Sequence, residues 1–258
     1  KEHANAIKLL GITLQQIRKT IPFRLAEISG GEKDNAIPRE AAAVICIAAD
    51  RKESLMAELD RSETEEKNEK RSKEKNLSIR AEEVAKGAAL VFDDASTDRV
   101  LTFLVLLPNG VMAMSADIDG LVETSLNVGI LKTCDSEVVA GSAIRSAIGT
   151  AKHKVNLQLE TLTDVLGGYT ETHGEYPGWQ FDPDPRLRAD MVRIYREMFG
   201  RDVQVEALPA GLECGIMISK IPGLDCVSFG PDIFDIHTTE ERLSISSTAR
   251  MWDYLLEI

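Results

Sequence analysis

Several things are scarce in this 258-residue chain, and each scarcity excludes something. No apolar run approaches the ~20 residues of a membrane span. The longest, "VLTFLVLLP" at 100–108, is of strand length. Cysteine is limited to Cys46, Cys134, Cys214 and Cys226, widely scattered and without a CxxC pair. Because Cys46, Cys134 and Cys226 lie in or beside apolar runs, they read as buried free thiols in a reducing compartment. Positive charge is short as well: 30 Lys and Arg against 42 Asp and Glu leave a net charge of −12. Such a balance argues against nucleic acid and anionic membranes, which need a basic face. No leader pattern is visible, since Lys1 opens straight into an amphipathic helix pattern. A cytoplasmic protein is the expectation, with no nucleic-acid or membrane partner.

What is present is enough for one large domain or two smaller ones: 43% hydrophobic residues over this length, punctuated by 18 glycines and 9 prolines. Residues 4–19 place Ile7, Leu10, Leu14 and Ile17 at helical steps. "FRLAEISGG" reads as a strand, "EKDNAIPRE" as a turn and "AAAVICIAA" as a second, buried strand. Residues 50–86 mix charges around Leu55, Met56 and Leu59, which predicts a solvated helix followed by a mobile segment. The pairs Glu65–Glu66 and Glu82–Glu83 have no apolar shell to raise a pKa and are set aside as catalytic candidates.

"RVLTFLVLLPNG" is helix or strand in character. "LVETSLNVGILKTC" and "EVVAGSAIRSAI" read as paired strands. "AKHKVNLQLETLTDVLGG" reads as a helix with Val155, Leu159, Leu162 and Val165 on one face, stopped by two glycines. "YTETHGEYPGWQ" is expected to give an edge strand and turn. Beyond it, "PRLRADMVRIYREMFG", "GLECGIMISKI" and "STARMWDYLLEI" read as helices, the last with Trp252, Leu255 and Leu256 toward the core. "VQVEAL" and "DCVSFGP" read as strands between them, as in a small piece of a doubly wound sheet. The fold class is α/β: helices layered on an antiparallel sheet (α+β), then an α/β segment.

Seven stretches stand in a recognisable order: "DNAIPREA" (34–41), "VETSLNVG" (122–129), "IRS" (144–146), "YPGW" (176–179), "GLECG" (211–215), "GPDIFDIHTTEERLSI" (230–245) and the closing "W..LLE". Together they resemble the C-terminal half of the aminoacyl-histidine dipeptidases, also called Xaa-His or cytosolic non-specific dipeptidases. The resemblance implies co-catalytic zinc peptidases in which a lid or dimerisation domain is inserted into a zinc-binding catalytic domain. It implies a lid over residues 1–172 and the last segment of the catalytic domain over 173–258. A homodimer through the lid follows from it too.

The resemblance makes His237 a zinc ligand, a role that suits an imidazole on a strand-end loop. The residues alone do not, because a zinc site needs three or four ligands. It also places Arg145 against the substrate's C-terminal carboxylate, which a guanidinium fork grips in two parallel bonds. Read on its own, Arg145 is a strand-end arginine in a surface pair. Asn127 hydrogen-bonds substrate or holds a turn. Glu213 lines the cleft or caps its own helix, where a carboxylate is stabilised anyway. His3, His153 and His173 read as surface residues, and Trp179 as a packing anchor.

The chain departs from the family in its partners. The histidines read "HAN", "HKV", "HGE" and "HTT", so no HxD motif exists. The family's Glu-Glu general-base pair and "GGHSG" lid motif are absent too. Pro209 stands where relatives often carry a histidine. The expectation is therefore a portion of a zinc-dependent aminoacyl-histidine dipeptidase, shortened by truncation. It would be inactive alone, without catalytic residues of its own, and would not hold zinc stably. The rival expectation is a non-catalytic dimerisation or binding module derived from the same family.

Overall fold

Asn5 sets the first helix in place. Its Oδ1 accepts from the backbone N–H of Ile7 and Lys8 at 3.0 and 3.2 Å, capping helix α1 (Ala6–Arg18). Its Nδ2 donates to Val128 O at 2.7 Å and to Asn109 Oδ1 at 3.1 Å, so a buried amide is fully satisfied. The computed structural model describes residues 3–84, 90–179, 186–206, 213–236 and 238–258. Ile7, Leu14 and Ile17 point inward along α1. Gly11 lies against helix α3 (Asp94–Leu106), where an added Cβ would sit 2.6 Å from Leu104 Cβ. That close approach lets the two helices cross. The ambiguous apolar run at 99–110 is thus a helix for most of its length, started by Asp93, whose carboxylate accepts from Ser96 N at 2.6 Å.

The helices cover a five-stranded sheet of β1 (Phe23–Gly30), β2 (Ala41–Ile47), β3 (Gly110–Met114), β4 (Val122–Thr133) and β5 (Val138–Ser146). The order is β2-β1-β4-β3, with β5 also paired to β4. β1 runs antiparallel to β2, with a bulge between Leu25 and Glu27. It meets β4 antiparallel at Ser29–Lys132 and Gly30–Leu131. Phe23, Leu25, Ile28, Leu126, Val128 and Leu131 project from these strands into one core with Leu101, Leu104 and the buried side of α1. β2 is an edge strand and half-buried, not the fully buried strand its composition suggests, because only one face meets the helices. For the same reason Cys46 on its outer face is exposed. Cys134, in the β4–β5 turn, is exposed too, and Cys226 is half-buried, which corrects the expectation of buried thiols.

Helix α2 (Lys52–Lys70) buries Leu55, Leu59 and Ser62 and is charged elsewhere. Glu63–Lys67 and Glu66–Lys70 pair along it at four-residue steps. Glu65 lies 3.9 Å from Arg61 and Glu83 2.8 Å from Lys52, so these carboxylates serve surface ion pairs. Helix α4 (Gly149–Val165) buries Val155 and Leu159, whereas Val165 is 79% exposed because the helix ends as it clears the core.

The chain divides into two compact units. The first comprises Lys1–Ala113, Thr124–Arg145 and Thr150–Thr172; the second comprises Met114–Glu123, Ser146–Gly149 and His173–Ile258. The second holds α5 (Arg186–Phe199), α6 (Glu213–Lys220), the two-residue strands β6 (Ile233–Phe234) and β7 (Arg242–Leu243), and α7 (Ile245–Glu257). Its core is Met191, Ile194 and Tyr254. The Tyr254 hydroxyl donates to Met191 O at 2.7 Å, and its ring meets Tyr195 and Phe229 edge-on at 5.4 and 5.5 Å.

Four further sequence expectations differ from the structure. Residues 169–179 form no strand, nor do 203–206 or 225–231; among the described residues after 173 the only ladder is the antiparallel pair β6–β7. A strand exists only beside a hydrogen-bonding neighbour, and apolar composition does not provide one. On α7, Trp252, Leu255 and Leu256 are 59%, 49% and 69% exposed. The covered stripe is Ser247, Met251 and Tyr254, at helical steps one face round.

Candidate functional site

Three of the ordered motifs meet within the second unit. β5 ends at Ser146, whose hydroxyl donates to Ile148 O at 3.0 Å and accepts from Ile148 N at 3.1 Å, closing a side-chain turn. Ala147 N donates to Glu123 O at 3.3 Å. The turn then receives "YPGW": a Cβ on Gly178 would lie 2.2 Å from Ala147 O, which no side chain could occupy. "GLECG" arrives on the other side of the same segment, where a Cβ on Gly215 would meet Pro177 O at 3.0 Å and Trp179 Cβ at 3.5 Å. Glycine in "YPGW" and in "GLECG" is therefore a requirement of backbone contact. The motifs are visible in the sequence; that they touch is not.

Arg145 immediately precedes this turn at the end of β5, in the first unit, and is exposed. No ion pair or hydrogen bond of Arg145 is present among the described residues, so the surface-pair reading has no partner here. Glu213 opens α6 and is exposed, placed where the helix dipole favours a carboxylate.

Asn127 lies on β4, in the first unit. Its Nδ2 donates to Asp34 O and Ala36 O, both at 2.7 Å, which pins the "DNAIP" turn. Gly129 helps to hold the same turn, since a Cβ there would come within 2.2 Å of Lys33 O, and one on Gly31 within 2.0 Å of Gly129 O. Gly31 has a φ of +65°, which suits glycine. The turn-holding reading of Asn127 is thus realised, and both amide hydrogens are spent on it.

His237 lies outside the described residues. Its flanks are described. Asp235 has a φ of +52°, its carbonyl accepts from Thr238 Oγ1 at 2.6 Å, and its carboxylate takes Arg242 Nη1. The Asp232 carboxylate faces Arg250 at 3.5 Å. Both carboxylates beside the histidine loop are therefore paired to arginines. Among the described residues no group of three His, Cys, Asp or Glu side chains could hold a metal ion. His3 binds Glu74 at 3.1 Å, while His153 and His173 are exposed. Pro209 lies outside the described residues.

Residues 1–77 match the family model described as a peptidase dimerisation domain. The chain is 37% identical over 254 residues to the cytosol non-specific dipeptidase of Escherichia coli (strain K12), covering 98% of this chain and 52% of that protein. The crystal structure of aminoacylhistidine dipeptidase from Vibrio alginolyticus matches with a TM-score of 0.91 at 35% identity, again over 98% of this chain and 52% of the other. The chain is similar to these two dipeptidases over nearly all of its own length and spans about half of theirs. No helix among the described residues is long and apolar enough to cross a membrane.

Proposed function

We propose that this chain supplies the lid and the final catalytic-domain segment of a zinc-dependent aminoacyl-histidine dipeptidase, which hydrolyses short peptides of the Xaa-His type. The observation that carries the reading is the relation to a cytosol non-specific dipeptidase over 98% of this chain and 52% of that protein. In this reading residues 1–172 are the lid and pair two chains, and residues 173–258 belong to the catalytic domain. Arg145 takes the substrate carboxylate; its exposure and lack of a partner among the described residues leave the guanidinium fork open to one. Glu213 is read as a substrate contact as well, and Asn127 contributes only its Oδ1, its amide hydrogens being committed. His237 gives zinc one imidazole.

Bound zinc supplies a water acidic enough to act as nucleophile near neutral pH. This chain's residues fit that group only in part, because Asp232 and Asp235 are held by arginines and no cluster of three ligand side chains exists among the described residues. The remaining ligands and the base must come from residues that the chain does not carry, so the polypeptide alone is inactive. The test is hydrolysis of an Xaa-His dipeptide by the purified chain with added zinc. No turnover above the zinc-only blank is expected, and zinc-dependent turnover lost in Arg145→Ala would overturn the inactivity. A cytoplasmic setting is part of the same proposal.

A further inference from the structure

The second unit has a small core and a large apolar exterior, and α7 is where the two meet. Ser247, Met251 and Tyr254 lie on its covered side, and the Tyr254 hydroxyl ties it to Met191 O at 2.7 Å. On the opposite side Ile245, Ala249, Trp252 and Leu256 follow one another at steps of four, three and four, all exposed, Ile245 to 86%. Leu243 extends this stripe at the start of the helix and is exposed as well. Leu243, Ile245, Thr248, Ala249, Trp252 and Asp253 line a groove of about 480 Å³. A helix that is apolar on two opposite sides belongs inside a domain core. The backbone points the same way. Residues 203–206 and 225–231 are strand-like in composition, yet neither forms a ladder among the described residues, and a strand needs a neighbour.

Charge argues against a lipid surface as the cover. A helix that lies on a membrane carries Lys and Arg along its polar side. α7 has one arginine, Arg250, which faces Asp232 at 3.5 Å, against Asp253 and Glu257. What remains is protein, and surfaces of this kind resemble a domain core cut in two. The similarity to the Escherichia coli dipeptidase takes in 98% of this chain but 52% of that protein, so about half of the relative has no counterpart here. We infer that the Leu243–Ile245–Trp252–Leu256 face of α7 is a docking surface for that other half of the dipeptidase. The partner sets an apolar face on the stripe, fills the groove beside Trp252 and lays a β-strand along 225–231. Its identity rests on the dipeptidase reading above; the need for a core-forming protein partner rests on α7 and the unpaired segments.

The test co-expresses the whole chain with an affinity-tagged polypeptide, the portion of the Escherichia coli dipeptidase outside the matched 52%. Expected are a soluble one-to-one complex on the affinity resin and new amide-exchange protection over 225–231. Trp252→Asp should lower the recovered chain by more than about tenfold, as for an aromatic anchor at an interface. The same substitution should leave the thermal midpoint of the chain alone unchanged, because Trp252 is exposed. Hydrolysis of an Xaa-His dipeptide with added zinc is read separately: a complex without turnover supports the docking and counts against the dipeptidase reading. A tagged portion that stays insoluble beside this chain, or that is soluble and does not retain it, would overturn the docking. So would capture indifferent to Trp252→Asp. Two further results would give the face to another occupant and overturn it too: a dimer of the chain alone that Trp252→Asp dissolves, or Trp252-dependent binding to phosphatidylcholine–phosphatidylglycerol vesicles.

Discussion

Lys8 shows how much a single side chain can hold. Its ammonium donates to the carbonyls of Leu104, Val105 and Leu107, closing the C-terminal end of α3 from the neighbouring helix. Burial opposes the charge and lowers its pKa from 10.5 to about 8. The sign of the pH effect follows. Below about pH 8 the folded chain keeps Lys8 charged at a cost. Between about 8 and 10.5 the unfolded chain holds a proton that the folded one has released, so stability rises with pH across that window. Chemical denaturation of the unsubstituted chain and Lys8→Met from pH 7 to pH 10 should show this rise in the difference between them. An unchanged difference across the series would refute it. Asn127 offers a simpler test. Asn127→Ala removes two donors from the Asp34–Ala36 turn and should destabilise by about 1 kcal/mol per hydrogen bond, read from urea midpoints.

The elements that were legible in the sequence are those whose pattern is satisfied locally. α1 follows the Ile7-Leu14-Ile17 stripe, β1 and β4 follow their apolar alternation, and α4 stops at its glycine pair. α3 was ambiguous because its apolar run has no polar face; the Asp93 cap decides it, and one carboxylate three residues ahead of an amide is a weak signal beside a continuous apolar run. α7 was legible as a helix but not in orientation. It carries two apolar stripes, Met251 with Tyr254 and Ile245 with Trp252 and Leu256, and only tertiary contact chooses between them. The site was legible as motifs and silent as geometry: nothing in "YPGW" announces that its glycine abuts Ala147 O. The α1–α3 crossing gives the prediction for this scale. Gly11→Ala should cost about 1–3 kcal/mol by overpacking, and less in a Leu104→Gly background, which removes the Cβ that the added methyl meets at 2.6 Å. Additive losses in a double-mutant cycle would show that the two helices shift apart without strain.

At the scale of the whole molecule, β2 is the feature that asks for company. It is a sheet edge of seven residues without charge or proline, and such edges pair with something unless protected. It also lies inside the segment that matches a peptidase dimerisation domain. Light scattering coupled to size exclusion should therefore find two 28.3-kDa chains per particle, with Val44→Lys shifting the population to one. A dimer indifferent to Val44→Lys would move the interface elsewhere, and a monomer at micromolar concentration would remove it.

The partition of the chain carries a consequence for synthesis. All three pieces of the first unit have left the ribosome soon after Thr172 is made, whereas the second unit draws on Met114–Glu123 and Ser146–Gly149, made early, and on a stretch that runs to the last residue. The first unit can consolidate while the chain is still growing. The second must keep two short early pieces waiting for their partners. The seat that Ala147 makes for Gly178 is prepared about thirty residues ahead of its occupant. Expressed from residue 173 onward, the second unit would lack that seat altogether, so excision at Thr172 should yield a first part that folds and a second that does not.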